Sequence, residues 1–465
     1  MLTRYFGVPT SAFEEPAYVA GVEAGIGMSV SYDGGLSWIG GFVPGQFPGD
    51  ETDASLASPA YGLEGGSDPI LLAAPCGRFY LVWLQFIRGD VSMLLAALIQ
   101  DNNDSDLEHT FSWEHTSLIA EANNATNGPF VDKPEASLSL TGATDCSEIT
   151  EELNVTWTQF TGQGNLSNFQ NKLFFGKSVD RARTFDIKKV DDNYTDTSGT
   201  ATVVDPVTND IYVFFRSFNP PAMVMTKSKN NGVKWSKPVD LLENVPMAPF
   251  DQPTVSILDL PFGTSIKDEI APRANAFPTV AITPDGSLLM LAWHERVTVV
   301  DPLAPLPEAV PDPSAGPKAV MIYSTNEGDT WSNRIAVAPN NPPSPPGLGF
   351  FNSTDSLSGP QIQPRLSCTA GDPNQCLVIF FESRPYEEPW SYPADPNNWD
   401  PNTGLSADGF LGGYDRVMDV RGVLIDAPDP DDPDDPTTEP FFRPSFQISR
   451  YSYRPLLLGE EPRET

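Results

Sequence analysis

The chain has 465 residues, of which 47 are Pro and 36 are Gly, and a formal net charge of −34. So many helix breakers exclude a helical bundle, a coiled coil or a long-helix α/β fold. So acidic a surface lacks the basic footprint that nucleic acid or an anionic membrane requires. Hydrophobic residues make up 40%, with 27 Phe, 13 Tyr and 9 Trp, enough for a sizeable core.

Residues 1–17 read as an N-terminal extension without a basic n-region or an apolar h-region. No stretch approaches the roughly 18 apolar residues of a membrane helix. Beyond it, five segments repeat one pattern: 68–86, 132–159, 200–216, 277–295 and 361–382. Each has a short β-rich run, a turn with Gly, Asp or Asn, and an aromatic-rich strand. The second strands end on Trp83, Trp157, Phe215, Trp293 and Phe381. Such runs, closed by turn residues, mark repeated antiparallel hairpins. The repeats place residues 18–455 in one domain, with insertions at 241–275, 296–318 and 385–415 and a C-terminal tail at 456–465.

A second motif falls between the hairpins. Its cleanest copy is Ser31-Tyr32-Asp33-Gly34-Gly35-Leu36-Ser37-Trp38. Copies with Asn for Asp run from Ser228 through Asn230 to Trp235 and from Ser324 through Asn326 to Trp331. A degenerate copy runs from Ser178 through Asp180 to Phe185. The side-chain oxygen of Asp33, Asp180, Asn230 or Asn326 accepts backbone N–H bonds, Gly supplies positive φ, and the aromatic packs beneath.

On these residues the chain resembles the Asp-box (bacterial neuraminidase repeat) β-propellers of the sialidase-like superfamily, over roughly residues 20 to 450. The resemblance implies an all-β fold: a single propeller of four-stranded antiparallel blades, with the Asp box between third and fourth strands. Five first-hairpin signals and an unpaired N-terminal segment, 21–42, point to six blades closed by the termini.

If the Asp boxes share one face, starts of first strands and ends of second strands meet on the other, where sialidase-like proteins carry their site. Residues expected there include Asp68, Asp132, Lys133, Arg216, His294, Glu295, Arg296, Arg365, Glu382 and Arg384. Two readings of the charges stand. The guanidinium groups could grip a carboxylate, with Glu295 or Glu382 in a hydrolytic carboxylate pair. Alternatively, the charges pair with one another and brace the fold. The Arg-Ile-Pro motif of catalytic members does not occur, and no local motif selects a tyrosine nucleophile, although Tyr414 lies in the expected C-terminal region. The 385–415 insertion carries Trp390 and Trp399 among polar residues, as platforms for sugar rings or as pins for a lid.

Cys368 and Cys376 flank one hairpin turn, and Cys76 and Cys146 fall in equivalent turns of neighbouring blades. The pairs Cys76–Cys146 and Cys368–Cys376 are expected among three possible connectivities, and they favour an oxidising compartment. The acidic loop from Asp426 to Glu439 has oxygens able to hold Ca2+, but its spacing lacks the D-x-D-x-D-G pattern and it reads first as a solvated loop. Three histidines, His109, His115 and His294, argue against a multi-histidine metal centre. No other cofactor is implied. The expectation is an extracellular or cell-surface propeller that binds a glycan or a protein without catalysis. The alternatives are a glycoside hydrolase acting on an anionic sugar and, more weakly, a polysaccharide lyase built on His294 and a loop tyrosine.

Overall fold

The computed structural model describes residues 2–7, 24–31, 36–45, 52–87, 90–102, 110–123, 129–142, 146, 149–161, 170–191, 194, 196–242, 247, 275–296, 298–300, 309–311, 317–338, 361–369, 374–385, 399–400, 405–406, 416–428 and 439–448. The chain divides into two compact units, Met1–Leu241 and Leu242–Thr465. Among the described residues no helix is long and apolar enough to cross a membrane.

The first unit opens with an antiparallel sheet of β1 (Leu2–Gly7), β2 (Ala24–Val30) and β3 (Ile39–Phe42). Strand β1 thus lies within the segment read as an extension. A single helical turn, α1 (Asp53–Leu56), follows, its N-terminus capped by the Thr52 hydroxyl. Three four-stranded antiparallel meanders come next, the first joined to β2 in one sheet by a parallel pairing of Gly65 with Ala24. The first is β4 (Gly65–Ala74), β5 (Arg78–Ile87), β6 (Val91–Asn102) and β7 (Thr110–Asn123). The second is β8 (Phe130–Thr141), β9 (Thr150–Thr161), β10 (Gln170–Ser178) and β11 (Asp186–Lys189). The third is β12 (Thr197–Val204), β13 (Ile211–Phe218), β14 (Pro221–Ser228) and β15 (Val239–Asp240).

The second unit repeats the plan. β16 (Thr279–Ile282) and β17 (Leu289–Arg296) are followed by a hairpin within the 296–318 insertion, β18 (Thr298–Val300) and β19 (Ala309–Pro311). β20 (Pro317–Ser324) and β21 (Ile335–Ala336) complete that meander. The last sheet begins with β22 (Gln361–Thr369) and β23 (Gln375–Pro385). Within the 385–415 insertion lies the small hairpin β24 (Trp399–Asp400) and β25 (Leu405–Ser406). The sheet resumes with β26 (Arg416–Asp426), against which β27 (Phe441–Phe442) and β28 (Phe446–Gln447) both pair.

Second strands are apolar without interruption because both of their faces are covered. In β5, Tyr80, Val82 and Leu84 pack against Val131, Leu153, Val155 and Trp157 of the next sheet. The alternate residues Leu81 and Trp83 pack with Ile26 of β2. Phe215 packs with Leu173 and Phe175 of the preceding sheet, and Phe380 with Met290 and Met321. Phe380, the residue before the terminal aromatic Phe381, is the residue of β23 turned to that core. Phe380 is buried and Phe381 only partly so.

Four first strands share a bulge. The register slips between Ser67 and Ile70, Asp132 and Glu135, Ser198 and Ala201, and Ile362 and Arg365. Each slip leaves two residues opposite one buried aromatic: Trp83, Trp157, Phe215 and Phe380 respectively. The first residue of each bulge has positive φ: 51° at Asp68, 52° at Lys133, 67° at Gly199 and 50° at Gln363. In three of the four the next residue is proline, Pro69, Pro134 or Pro364, which has no N–H to give the ladder.

The Ser-x-Asp/Asn turns join third to fourth strands, β10 to β11, β14 to β15 and β20 to β21. Two consecutive left-handed residues make each turn: Arg181 and Ala182, Asn231 and Gly232, Glu327 and Gly328. The Ser178, Ser228 and Ser324 hydroxyls each accept the second residue's N–H at 2.9 Å. Asp180, Asn230 and Asn326 accept the amides of Thr184, Lys234 and Thr330 at 2.9, 2.7 and 2.9 Å. Asp33 of the copy between β2 and β3 lies outside the described residues. Both expected disulfides are present, Cys76–Cys146 between two sheets of the first unit and Cys368–Cys376 across the β22–β23 turn.

Candidate functional site

In the first unit the bulges of β4 and β8 bring together residues 65 positions apart. Lys133 Nζ lies 3.0 Å from both carboxylate oxygens of Asp68. Solvent reaches the pair, whose side chains are 30% and 27% exposed. Asp132, one residue before the bulge, accepts the Lys133 amide at 2.9 Å. Burial pushes the Asp132 carboxyl up to about 6; the Asp68 charge and a hydrogen bond between the two carboxyls add to this, while the Lys133 ammonium and amide oppose it. Two carboxyls thus stand beside one ammonium. Directly opposite Asp132 in the β8–β9 ladder stands Thr158, fully buried, whose hydroxyl has no hydrogen-bond partner.

Arg216 of β13 is buried, pairs across the ladder with Ser198, and lays its guanidinium 4.4 Å from the Phe218 ring centroid. Its charge partly offsets the burial that raises Asp196. Towards the opposite ends of β5 and β9, Glu151 accepts from Arg78 Nε at 2.7 Å and from the Tyr80 hydroxyl at 2.6 Å, all inside the core. Burial, then Glu151, raises the Tyr80 hydroxyl far beyond its ordinary value.

In the second unit β17 delivers His294 and Glu295, and β23 delivers Glu382. His294 is fully buried and its Nδ1 accepts the Gln363 amide at 3.2 Å, which places the ring proton on Nε2. Glu295 and Glu382 occupy equivalent places, two residues past the buried Trp293 and Phe380. Glu295 Oε2 accepts the Trp293 indole N–H at 3.2 Å and Oε1 lies 2.9 Å from Arg334 Nη1. The same indole latch links Trp83 to Gln85 in β5. Glu382 accepts Gln361 Nε2 at 3.2 Å and pairs with Arg421 Nε at 3.1 Å. Lys318 faces Glu295 across the β17–β20 ladder. Burial lowers its amine to about 8, against the pull of Glu382.

Arg365 is exposed on β22. Arg296, Arg384 and Trp399 have described backbone in β17, β23 and β24, but their side chains lie outside the described residues, as do Trp390 and Tyr414 altogether. Arg334, Arg421, Lys318 and Thr158 were missed in the sequence. No motif marks them, because each joins its partner through the ladder or the packing of strands. In the acidic loop Asp426 pairs with Arg443 at 2.7 Å, and 429–438 lie outside the described residues. Among the described residues no group of three or more His, Cys, Asp or Glu is placed to hold a metal ion.

Successive antiparallel sheets, three of them with a Ser-x-Asp/Asn turn joining third to fourth strand, define an all-β chain. No family model and no curated protein matches the chain. Among solved structures it is similar to the intramolecular trans-sialidase from Ruminococcus gnavus, with 13% identity over 94% of this chain and 81% of that one, at a TM-score of 0.36. The GH93 α-L-arabinofuranosidase of Fusarium graminearum is 13% identical over 77% of this chain and 79% of its own, at 0.40. The sialidase of Trypanosoma rangeli is 9% identical over 76% of this chain, at 0.34; the chain spans 46% of that protein's length.

Proposed function

We propose that the protein is an exported Asp-box propeller that binds a glycan at the ends of its second strands and does not cleave it. The observation that carries this reading is the state of Glu295 and Glu382. Each nominated carboxylate is buried and held by a guanidinium, Arg334 or Arg421, from its own half of the chain. A carboxylate neutralised in this way is a poor proton donor or nucleophile and a good brace. The Asp68–Asp132 pair does not fill the vacancy. Asp68 is already ion-paired with Lys133 at 3.0 Å, and Asp132 is held by the Lys133 amide. Two disulfides suit the extracellular or cell-surface setting in which glycans are met.

The test is a glycan array probed with the full chain, beside turnover assays on fluorogenic sialosides, galactosides and arabinofuranosides. Retention of glycan without turnover is expected. Robust release of fluorophore that Glu295→Gln or Glu382→Gln abolishes would overturn the reading in favour of hydrolysis.

A further inference from the structure

Resting on that glycan-binding reading, we propose that Asp68, Asp132 and Lys133, with Thr158 behind them, form a sugar-hydroxyl subsite that selects a neutral ring over an acidic one. Two bulges from adjacent sheets are needed to build it. Both Asp68 and Lys133 sit at positive φ, a conformation that costs a non-glycine residue energy and that a regular strand would avoid. The Asp68–Lys133 pair alone could serve as a brace between β4 and β8. A brace does not require a second carboxyl at the same point, and Asp132 stands there against the cost of its burial. Nor does a brace account for the Thr158 hydroxyl, which shares the Asp132 face of the ladder and has no hydrogen-bond partner.

The chemistry fits adjacent hydroxyls of a sugar ring. A carboxylate oxygen accepts from one hydroxyl while an ammonium donates to the oxygen of the next, and both bonds gain from the charge. Around a quarter to a third of the Asp68 and Lys133 side chains faces solvent, so a ligand can reach them. Two carboxyls against one ammonium leave the cluster neutral or anionic. A uronate or sialate carboxylate arriving there meets like charge, in a chain that already carries −34.

The experiment uses the full chain on an array in which each neutral oligosaccharide is printed beside its sialylated and glucuronylated forms. Titration calorimetry with the tightest neutral hit follows. The wild type should bind the neutral member at least about tenfold more tightly than the acidic one, and Asp132→Asn and Lys133→Met should each weaken the neutral hit by about tenfold or more. Circular dichroism checks that each variant is folded. A wild type that prefers the acidic form, or folded variants that bind unchanged, would overturn the subsite while leaving glycan binding intact. A wild type that binds no glycan on the array would overturn both.

Discussion

Arg421 Nε lies 3.1 Å from Glu382 Oε2, and the Glu382 side chain is wholly sealed from solvent. Gln361 occupies the other carboxylate oxygen and its own Oε1 accepts the Ala319 amide, so the ion pair ties β23 and β26 to β22 and β20. Removing one partner strands a buried charge. Arg421→Ala should therefore cost about 3–5 kcal/mol, whereas replacing both, as Arg421→Met with Glu382→Leu, should be close to neutral. Urea unfolding of the full chain measures both. A single substitution no worse than the double would show that the pair is not a brace.

Asp132 gives stability a pH dependence of unusual sign. Its folded carboxyl sits near 6 against an ordinary 3.8, first because it is buried and then because Asp68 is beside it. The folded state holds a proton that the unfolded state has lost, so this contribution is complete below about 4 and disappears as pH rises through about 6. Asp132→Asn should remove that segment from a series of urea midpoints taken between pH 4 and 7. Lys133→Met should move it upward, since the ammonium opposes the shift. A segment unchanged in both variants would assign it to another group.

Asp180 behaves oppositely. Burial tends to raise its carboxyl, but the Thr184 hydroxyl and amide, the Ser178 hydroxyl and the Arg183 amide outweigh it and hold the group at about 2. The bonds are present above the ordinary carboxylate range and are lost as pH falls from about 4 towards 2. The equivalent turns at Asn230 and Asn326 work with an amide oxygen. Asp180→Asn should thus preserve the turn and abolish its acid sensitivity, and Asp180→Ala should cost about 1 kcal/mol at neutral pH. Acid-unfolding midpoints of the two variants test this.

The two disulfides close loops of very different size, with sequence separations of 70 and 8. Loop-closure entropy assigns about 4 kcal/mol to Cys76–Cys146 and about 2.5 kcal/mol to Cys368–Cys376. Paired serine variants should lower the urea midpoint in that order, the first by clearly more. Equal losses would show that strain or residual denatured-state structure outweighs chain entropy.

What the sequence made legible follows from the range of each interaction. The Ser-x-Asp/Asn turns can be read because every atom in them lies within four residues, from Ser178 Oγ to the Ala182 amide and from Asp180 to the Thr184 amide. The second strands can be read because burial on both faces makes them unbroken apolar runs, as in Tyr80 to Leu84. That same burial hides the facing: an unbroken apolar run does not distinguish Phe380, which faces the core, from Phe381. Bulges at Asp68, Lys133 and Gln363 escape a pattern of alternation, since one extra residue resets the period. Partners such as Arg334, 39 residues from Glu295, are set by how strands pack and not by spacing.

Gly232 separates two costs that usually arrive together. Its φ is +80°, and a Cβ there would stand 2.5 Å from Phe175 Cε1 and 2.9 Å from Cζ, against the ring that also meets Trp235 edge-on. Gly62 has nearly the same φ, +84°, with nothing within 4 Å of a Cβ. Gly62→Ala should therefore cost only backbone strain, about 1–2 kcal/mol. Gly232→Ala should add the displacement of a buried ring, a further 1–3 kcal/mol or so, because Phe175 is packed against Val213 and Phe215 and has no room to retreat. Urea midpoints of the two variants give the difference directly. If Gly232→Ala proved no worse than Gly62→Ala, the close approach of this turn to the preceding sheet would not be a stabilising feature. If Phe175→Leu rescued Gly232→Ala, the ring would be identified as the obstacle.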